Sequence, residues 1–325
     1  MSFSKRDLDS ACDVVEQVLR ERRAPAMAVG GHVLPTFIEL LFRPLGSTRF
    51  TQIKNLREDI ALSLTVPAVR VAQRDGFIAV QFDLPSGHRQ IVRLDSLVQR
   101  AGQQAPYTMI LGLCEQGIPL LARLSDPAAS HILIAGATGS GKTVLAQSII
   151  TSLTQAHDPR EFGVVVVDPK RGPARDGFLA RIQRHILMNA ATAEESITAI
   201  EKVVQVMRKR QVGAAKPRVL VYIDEAATVC DLGGARVTDA LKEIAQFGRE
   251  MGIHALVCTQ KPSAKALDSL IKSNLPMRLV GSVTSARDAT LAAGISETGA
   301  ERLSGAGAFL CVAGGRVVRF QAAVS

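Results

Sequence analysis

The 325-residue chain lacks any apolar run long enough to cross a bilayer, which takes roughly 18–20 residues. Its first 23 residues are charged and amphipathic, with no apolar signal core. Hydrophobic residues make up 47% of the chain and charged residues 21%, which excludes a mostly disordered protein. We therefore expect a cytoplasmic globular protein of two domains, or three, without a membrane segment of its own.

The cysteines also lack the spacing of a metal site or a disulfide framework. There are five, and they are scattered, odd in number and without a Cys-x-x-Cys pair. Cys258 and Cys311 lie inside apolar runs that are typical of strands. We interpret all five as reduced packing residues.

The formal charge is +9, and it is unevenly distributed. Residues 1–130 hold 15 lysines and arginines against 13 acidic residues, whereas residues 131–325 hold 24 against 17. This basic second part favours an anionic partner such as nucleic acid, although a solvated basic surface gives the same balance. Charge alone leaves both interpretations open.

Composition and periodicity separate residues 1–105, a small α+β domain, from residues 106–325. In the first part, apolar residues recur at helical spacing and then alternate around turn residues. The predicted elements are helices over 1–23 and 47–64, a turn at Gly30-Gly31, and short antiparallel strands between 69 and 94.

In the second part, short apolar strands alternate with helical stretches. This order predicts an α/β fold, with a mostly parallel central sheet and crossover helices. The last two strands flank Ala313-Gly314-Gly315, a hairpin signal. Strands are predicted at 131–135, 163–167, 218–223, 254–258 and 277–283, and helices over 142–156, 192–210 and 238–251.

The strongest motif matches G-x-x-x-x-G-K-[ST] directly between a predicted strand and an apolar helix, as in a P-loop. Its glycines let backbone N–H groups turn toward phosphate oxygens, and the helix N-terminus adds its positive end. We expect Lys142 to reach the β- and γ-phosphates of ATP and Thr143 to ligate Mg²⁺. The predicted cofactor-binding residues are Gly136, Ala137, Thr138, Gly139, Ser140, Gly141, Lys142, Thr143 and Val144.

An acidic pair follows the predicted strand at 218–223. We expect Asp224 to join Thr143 as a ligand of Mg²⁺, and Glu225 to orient and deprotonate the attacking water. A second carboxylate beside a P-loop favours hydrolysis over phosphoryl transfer to a small acceptor.

Two other predicted strands end in polar residues. Gln260 is predicted to sense the γ-phosphate, and we group it with Lys142 and Glu225 as a catalytic side chain. Asp168 precedes a proline, and we interpret it as a turn former.

Six segments follow one another along the second part: HILIAGATGSGKT, VVVVDPK, VLVYIDEAATV, IAQFGREMGIHALVCTQKPS, DSLIKSNLPMRLVGSVTSARDA and GAERLSGAGAFL. Together they resemble the motor of the FtsK/SpoIIIE family of DNA translocases. Two earlier segments, FTQIKNLREDIALSLTVPAVRV and RQIVRLDSLV, resemble the small α domain that precedes the RecA-like β domain of that family. The resemblance runs from about residue 33 to the end.

The resemblance implies a hexameric, ATP-hydrolysing ring that moves double-stranded DNA through its central pore. The nucleotide would lie between subunits and be completed by an arginine of the neighbour, which stabilises charge on the γ-phosphate. Arg249 matches the position of this arginine finger, and Arg278 is the second candidate. A cation that complements the dipole at a helix C-terminus is the alternative interpretation of Arg249.

The pore loops of the family contact DNA phosphates. Lys261 and Ser263 match one such loop, and Arg287 lies in the segment that matches another. At Ala286 and Thr290 the family usually carries a basic residue, so this loop departs from the pattern. Phosphate contacts carry no sequence information, which implies a sequence-indifferent, salt-sensitive grip. An ordinary surface lysine remains the alternative for Lys261.

The sequence has no counterpart of the membrane anchor, the long linker or the C-terminal winged helix of the family, and the usual Gly-Arg-Gly reads Gly305-Ala306-Gly307. Two other functions stay open. One is a DNA-packaging or conjugative coupling ATPase of a phage or mobile element. The other is a non-translocating, nucleotide-gated DNA-binding scaffold, against which the intact Lys142, Thr143, Asp224 and Glu225 argue.

Overall fold

The structure is a computed structural model that describes residues 5–34, 37–74, 76–84, 90–170, 176–211, 216–260 and 274–325. Its contacts group the chain into two compact units, Met1–Ile91 and Val92–Ser325. The division precedes the helix Leu94–Ala101, because Leu94 and Leu97 are buried in the second unit. It therefore lies nearer the N-terminus than the boundary that the sequence pattern predicts.

The first unit is built on a four-stranded antiparallel sheet. Its described elements are α1 (Lys5–Glu21), β1 (Ala26–Val33), β2 (Phe37–Pro44), α2 (Phe50–Asn55), α3 (Arg57–Ser63), β3 (Arg70–Arg74) and β4 (Phe77–Asp83). The strand order is β1-β2-β4-β3. Val15 and Leu19 from the apolar stripe of α1 belong to the same buried cluster as Leu40 and Phe42 of β2.

Two local predictions for the first part of the chain are wrong. Gly30-Gly31 is not a turn between elements but lies inside β1, at a β-bulge. Bulges are common on edge strands, where an extra residue costs little pairing. Over the described residues 90–94 the predicted strand does not form either, because Arg93 makes only an isolated bridge to Val324 and a helix begins at Leu94.

The second unit is built on a ten-stranded sheet with the order β6-β5-β14-β13-β12-β7-β11-β10-β8-β9. Its described elements are α4 (Leu94–Ala101), β5 (Thr108–Cys114), β6 (Pro119–Arg123), β7 (Ile132–Ala135), α5 (Lys142–Ala156), β8 (Phe162–Val167), α6 (Asp176–Ile182), β9 (Ile186–Ala190), α7 (Ala193–Lys209), β10 (Arg218–Ile223), α8 (Ala226–Phe247), β11 (Ile253–Thr259), β12 (Met277–Val280), α9 (Ala286–Ala293), β13 (Ala308–Ala313) and β14 (Arg316–Ala322).

The strands from β12 to β9 in this order pair in parallel, and those from β13 to β6 continue the sheet with antiparallel pairs. The prediction of an α/β fold with a mostly parallel central sheet is therefore confirmed. The predicted C-terminal hairpin is present as β13 and β14.

Apolar side chains fill both faces of the large sheet. Along β10, Leu220 and Tyr222 join one buried cluster, whereas Val221 and Ile223 join the other. This alternation follows from the two-residue period of a strand, and burial of both faces is typical of parallel sheets. Loops that carry function therefore gather at the edges where the strands end.

Helix α8 begins at Ala226, well before its predicted start at residue 238. Within this span Gly234 has non-helical dihedrals of φ 54° and ψ −138°. The span 226–247 therefore consists of two helical segments that meet in a kink at Gly234, and the helix predicted from residue 238 overlaps the second of them.

The cysteines are placed as packing residues. No disulfide joins any of the five, all of which lie in the described ranges, and Cys12, Cys230, Cys258 and Cys311 are buried. Among the helices described above, none is long and apolar enough to cross a membrane.

Gly112 allows β5 to approach β14 closely. A Cβ at this position would overlap the backbone carbonyl of Gln321 and lie 2.9 Å from the ring of Phe320. Gly112→Ala should therefore lower the free energy of unfolding by about 2–3 kcal/mol, measured by urea unfolding followed with circular dichroism. In the control Gly177→Ala, on the exposed side of α6, the new Cβ meets no atom within 4 Å, so stability should stay equal or rise. Equal unfolding midpoints for the two variants would contradict this role of Gly112.

Candidate active site

The loop 136–141 connects β7 to α5 and is fixed on both sides. The Gly136 N–H donates to the Thr259 carbonyl at the end of β11 (3.2 Å), and the Ala137 N–H donates to the Ser282 carbonyl just after β12 (2.7 Å). Because β11 and β12 are the two parallel neighbours of β7, the loop is held by the sheet itself.

Glycines give this loop its conformation. Gly139 and Gly141 have φ angles of 81° and 98°, in the region that side chains disfavour. The Ser140 N–H donates back to the Ala137 carbonyl (3.2 Å), which closes the turn. Backbone N–H groups and the N-terminus of the 15-residue α5 thus meet at one place, an arrangement that binds phosphate.

Lys142 is the first residue of α5, and its side chain is buried. Its Nζ donates to the Ala137 carbonyl (3.0 Å). Burial lowers the pKa of Lys142, and the nearby Cys258, Glu225 and Asp224 side chains oppose this shift. The ammonium has therefore lost part of its hydration and gains from an anion that enters beside it.

A cavity of about 480 Å³ opens next to the loop. It brings together three parts of the chain: the loop with the start of α5, the residues that follow β10 and β11, and the C-terminal hairpin. The predicted residues that line it are Thr138, Gly139, Gly141, Lys142, Thr143, Val144, Asp224, Glu225 and Gln260.

The two acidic residues after β10 are held differently. The Asp224 N–H donates to the Val167 carbonyl (3.0 Å), and its Oδ1 accepts from the Tyr222 hydroxyl (3.2 Å). Glu225 directly precedes α8 as its N-cap residue and has φ 55° and ψ 64°, a conformation uncommon for a residue with a side chain. Its Oε1 accepts from the Thr259 hydroxyl (3.2 Å), so the strained residue has a fixed carboxylate.

Gln260 connects this carboxylate to the loop. Its backbone N–H donates to both carboxylate oxygens of Glu225, each at 3.2 Å. Its side-chain Oε1 accepts from the Thr138 hydroxyl (2.9 Å). A continuous series of hydrogen bonds therefore runs from the carboxylate through one residue to the loop.

The donor set fits a nucleoside triphosphate with Mg²⁺. The Thr143 hydroxyl and the Asp224 carboxylate are hard oxygen ligands of the kind that Mg²⁺ prefers, and both residues line the cavity. Lys142, the loop N–H groups and the α5 N-terminus supply the positive groups that phosphates require.

Arg249 lies at the other end of β7 from this cavity. It is exposed in the turn after α8. A Cβ on the preceding Gly248 would lie 3.3 Å from the ring of His131, which directly precedes β7. Burial, followed by the influence of His254 and Arg249, lowers the pKa of His131 to about 3. The structure thus does not bring Arg249 to the phosphate loop of its own chain.

Arg278, the second finger candidate, lies within β12 and is partly buried. Its Nη1 donates to the Ala292 carbonyl in the last turn of α9 (3.4 Å), and burial lowers its pKa. Arg287 is exposed in the first turn of α9. Lys261 and Ser263 lie outside the described residues.

Asp168 occupies the turn after β8. Its Oδ1 accepts from the Lys170 N–H (3.2 Å), the local bond of an aspartate in a turn. This geometry agrees with its interpretation as a turn former.

The C-terminal hairpin and the segment before it contribute to the cavity, although the sequence pattern does not predict this. The N–H groups of Ala306 and Gly307 donate to the carbonyls of Gly139 (3.3 Å) and Ser140 (3.0 Å), and both residues line the cavity together with Gln321. The run of small residues before β13 is the sequence signal for such a close backbone approach.

The chain resembles known proteins both in sequence and in fold. A profile described as "FtsK/SpoIIIE family" matches residues 94–216, and one described as "FtsK alpha domain" matches residues 2–86. The chain is 32% identical over 313 residues to DNA translocase SftA of Bacillus subtilis (strain 168), covering 88% of this chain and 32% of that protein. It is 28% identical over 344 residues to DNA translocase FtsK of Staphylococcus aureus (strain Mu50), covering 96% and 42%. It therefore spans less than half the length of these relatives.

Solved structures share the fold. The pCW3 conjugation coupling protein TcpA, in a monomer form with ATPγS, superposes with a TM-score of 0.64 at 19% identity, covering 97% of this chain and 95% of that one. The cytoplasmic domain of the Thermomonospora curvata Type VII secretion ATPase EccC gives 0.57 at 21% identity, covering 72% and 30%. These likenesses show a fold found in P-loop ATPases.

Lys142→Ala removes the buried ammonium beside the phosphate loop. We expect the dissociation constant for a slowly hydrolysed ATP analogue with Mg²⁺ to rise roughly thirtyfold or more, because losing one partner of a buried charge interaction costs about 2 kcal/mol or more. Isothermal titration calorimetry measures the constant. The exposed Lys209→Ala is the matched control and should bind like the unchanged protein. Unaltered affinity in Lys142→Ala would rule out this site for the triphosphate.

Proposed function

Because the chain belongs to the FtsK/SpoIIIE family, we propose that it is an ATP-hydrolysing translocase that moves double-stranded DNA as a ring oligomer. The observation that carries the proposal is the hydrogen-bonded series from Glu225 through Gln260 to Thr138. It joins a carboxylate, a polar sensor and the phosphate loop at one cavity, as a hydrolase that couples water activation to nucleotide binding requires.

In this mechanism each of the side chains at the cavity has a separate role. Lys142 and the loop N–H groups bind the β- and γ-phosphates, and Thr143 and Asp224 hold Mg²⁺, which neutralises charge on the phosphates. Glu225 orients the attacking water and accepts its proton. Gln260 responds to the γ-phosphate, since it contacts both the loop and the carboxylate.

The position of Arg249 supports assembly into a ring. Within one chain β7 separates it from the phosphate loop, but it is exposed and available to the cavity of a neighbour. The adjacent His131 is neutral near pH 7, because burial lowers its pKa to about 3, so the two do not repel. Arg249 is therefore the preferred finger, whereas Arg278 packs against α9. Six subunits is the number that the family resemblance implies.

The DNA grip is proposed to act on phosphates alone. The excess positive charge in residues 131–325 supplies long-range attraction to a polyanion. Lys261, Ser263 and Arg287 are the proposed contacts, of which Arg287 is exposed at the start of α9. Such a grip is indifferent to sequence and weakens as salt rises.

Duplex DNA should stimulate ATP hydrolysis several-fold, equally for unrelated sequences and less at high salt, in a phosphate-release assay.

Glu225→Gln should hydrolyse ATP at least about a hundredfold more slowly while still binding it, since only the base is lost. The exposed Glu194→Gln is the matched control and should keep the full rate. Displacement of a third strand from a triplex reports movement along the duplex.

Equal hydrolysis with and without DNA, across concentrations at which rings form, would contradict a translocase. Stimulation by single strands alone would instead favour the packaging or coupling ATPase.

Mixing variants tests whether Arg249 acts on a neighbour. Arg249→Ala and Glu225→Gln should each be inactive alone, yet their mixture should recover part of the activity. Some cavities then combine an intact Glu225 with an intact Arg249 from the next subunit. The exposed Arg316→Ala is the control and should remain active alone. Failure of the mixture to exceed the two separate variants would show that Arg249 does not complete a neighbouring site.

A further inference from the structure

The C-terminal hairpin gives the cavity an uncharged wall. In the sheet, β10 and β11 lie on one side of β7, whereas β13 and β14 lie on the other side, beyond β12. Glu225 and Gln260 therefore border the phosphate loop from one side, and Gln321, Ala322 and Val324 border it from the other. Charged groups suit phosphates and Mg²⁺, but an uncharged wall with one amide suits a nucleoside.

Backbone hydrogen bonds join this wall to the phosphate loop. Ala306 and Gly307 donate to Gly139 and Ser140, as described above, and the Gly307 carbonyl accepts from the Ala322 N–H (2.8 Å). The phosphate loop, the segment before β13 and the end of β14 are thus one connected structure. A ligand that lies on the phosphate loop is held at a fixed position relative to β14.

Gln321 is held with a defined amide orientation. Its Nε2 donates to the Ala306 carbonyl (2.9 Å). A carbonyl can only accept, so this bond determines which end of the amide carries nitrogen. Gly307 leaves room for it, since a Cβ there would lie 2.6 Å from Nε2, and its φ of 90° also favours glycine. The amide has a second N–H and a carbonyl oxygen, and the residue lines the cavity.

We propose that Gln321 selects adenine as the base of the bound nucleotide, with Val324 covering the ring; this rests on the nucleotide site proposed above. An oriented primary amide accepts from the 6-amino group of adenine and donates to the adjacent ring nitrogen. Guanine carries a carbonyl at position 6, which faces the Gln321 oxygen without a proton between them. The amide cannot rotate to offer an N–H to this carbonyl without losing its hydrogen bond to the Ala306 carbonyl. Bound GTP would therefore leave polar groups unpaired, and unpaired polar groups at a binding site strongly lower the affinity for the wrong ligand.

The test compares three triphosphates by competition against a fluorescent ATP analogue. The unchanged protein should bind ATP at least about tenfold more tightly than GTP or purine riboside triphosphate, which lacks the 6-amino group. Gln321→Ala, and Gln321→Met, which keeps the length of the side chain but has neither the amide oxygen nor the N–H donors, should bring these ratios close to one. Affinity for inorganic tripolyphosphate, which has no base, should not change. Gln99→Ala, exposed on α4, is the matched control and should keep the preference.

Two results would overturn the inference. One is an unchanged ratio of ATP to GTP affinity in both Gln321 variants. The other is an equal loss of affinity for all three nucleotides and for tripolyphosphate, which means that Gln321 only supports the loop. Failure of the unchanged protein to bind any of the nucleotides would instead refute the proposed function itself.

Discussion

The site depends on the backbone hydrogen bonds that attach the loop 136–141 to the strands on either side of β7. The Gly136 N–H donates to the Thr259 carbonyl at the end of β11, and the Ala137 N–H donates to the Ser282 carbonyl just after β12. Because the sheet is buried on both faces, these anchors do not move independently of the core. The start of α5, and with it Lys142, is therefore positioned by the whole central sheet and not by the loop alone. This explains how a run of glycines, flexible in itself, provides a preorganised site for an anion.

Glu225 has both a strained backbone conformation and a hydrogen-bonded carboxylate. Its left-handed backbone costs on the order of 1–3 kcal/mol, and the bonds from Thr259 and Gln260 hold it there. The same two residues border the phosphate loop, since the Thr259 carbonyl accepts from Gly136 and the Gln260 side chain accepts from Thr138. Any displacement of the loop is therefore transmitted to the carboxylate over a few bonds. Such a connection gives a physical route by which the occupied state of the cavity reaches the proposed base.

The two ends of β7 carry different chemistry. The carboxyl end holds the phosphate loop, whereas the amino end holds a buried, neutral pair, His131 and His254, beside the exposed Arg249. A subunit with its cation at one end and its anion-binding cavity at the other is complementary to a second copy placed head to tail. In the proposed ring, hydrolysis then depends on assembly, because neither end completes the site alone. The C-terminal hairpin adds a third contribution from the same chain, on the side of the loop away from the acidic pair.

Local patterns in the sequence determined the phosphate loop, the acidic pair after β10, Gln260 and the alternation of strands and helices in residues 106–325. Each of these depends on residues close together in the chain, where spacing and strand ends suffice. Only the tertiary structure decided the rest. The periodicity of the sequence does not predict that Gln321 bonds to Ala306, or that β14 lies between β5 and β13. It also predicts a turn at Gly30-Gly31, where pairing with β2 instead produces a bulge. Strand order and close backbone approach arise from pairing between distant segments, and a pattern confined to neighbouring residues carries no information about which distant strand will be the partner.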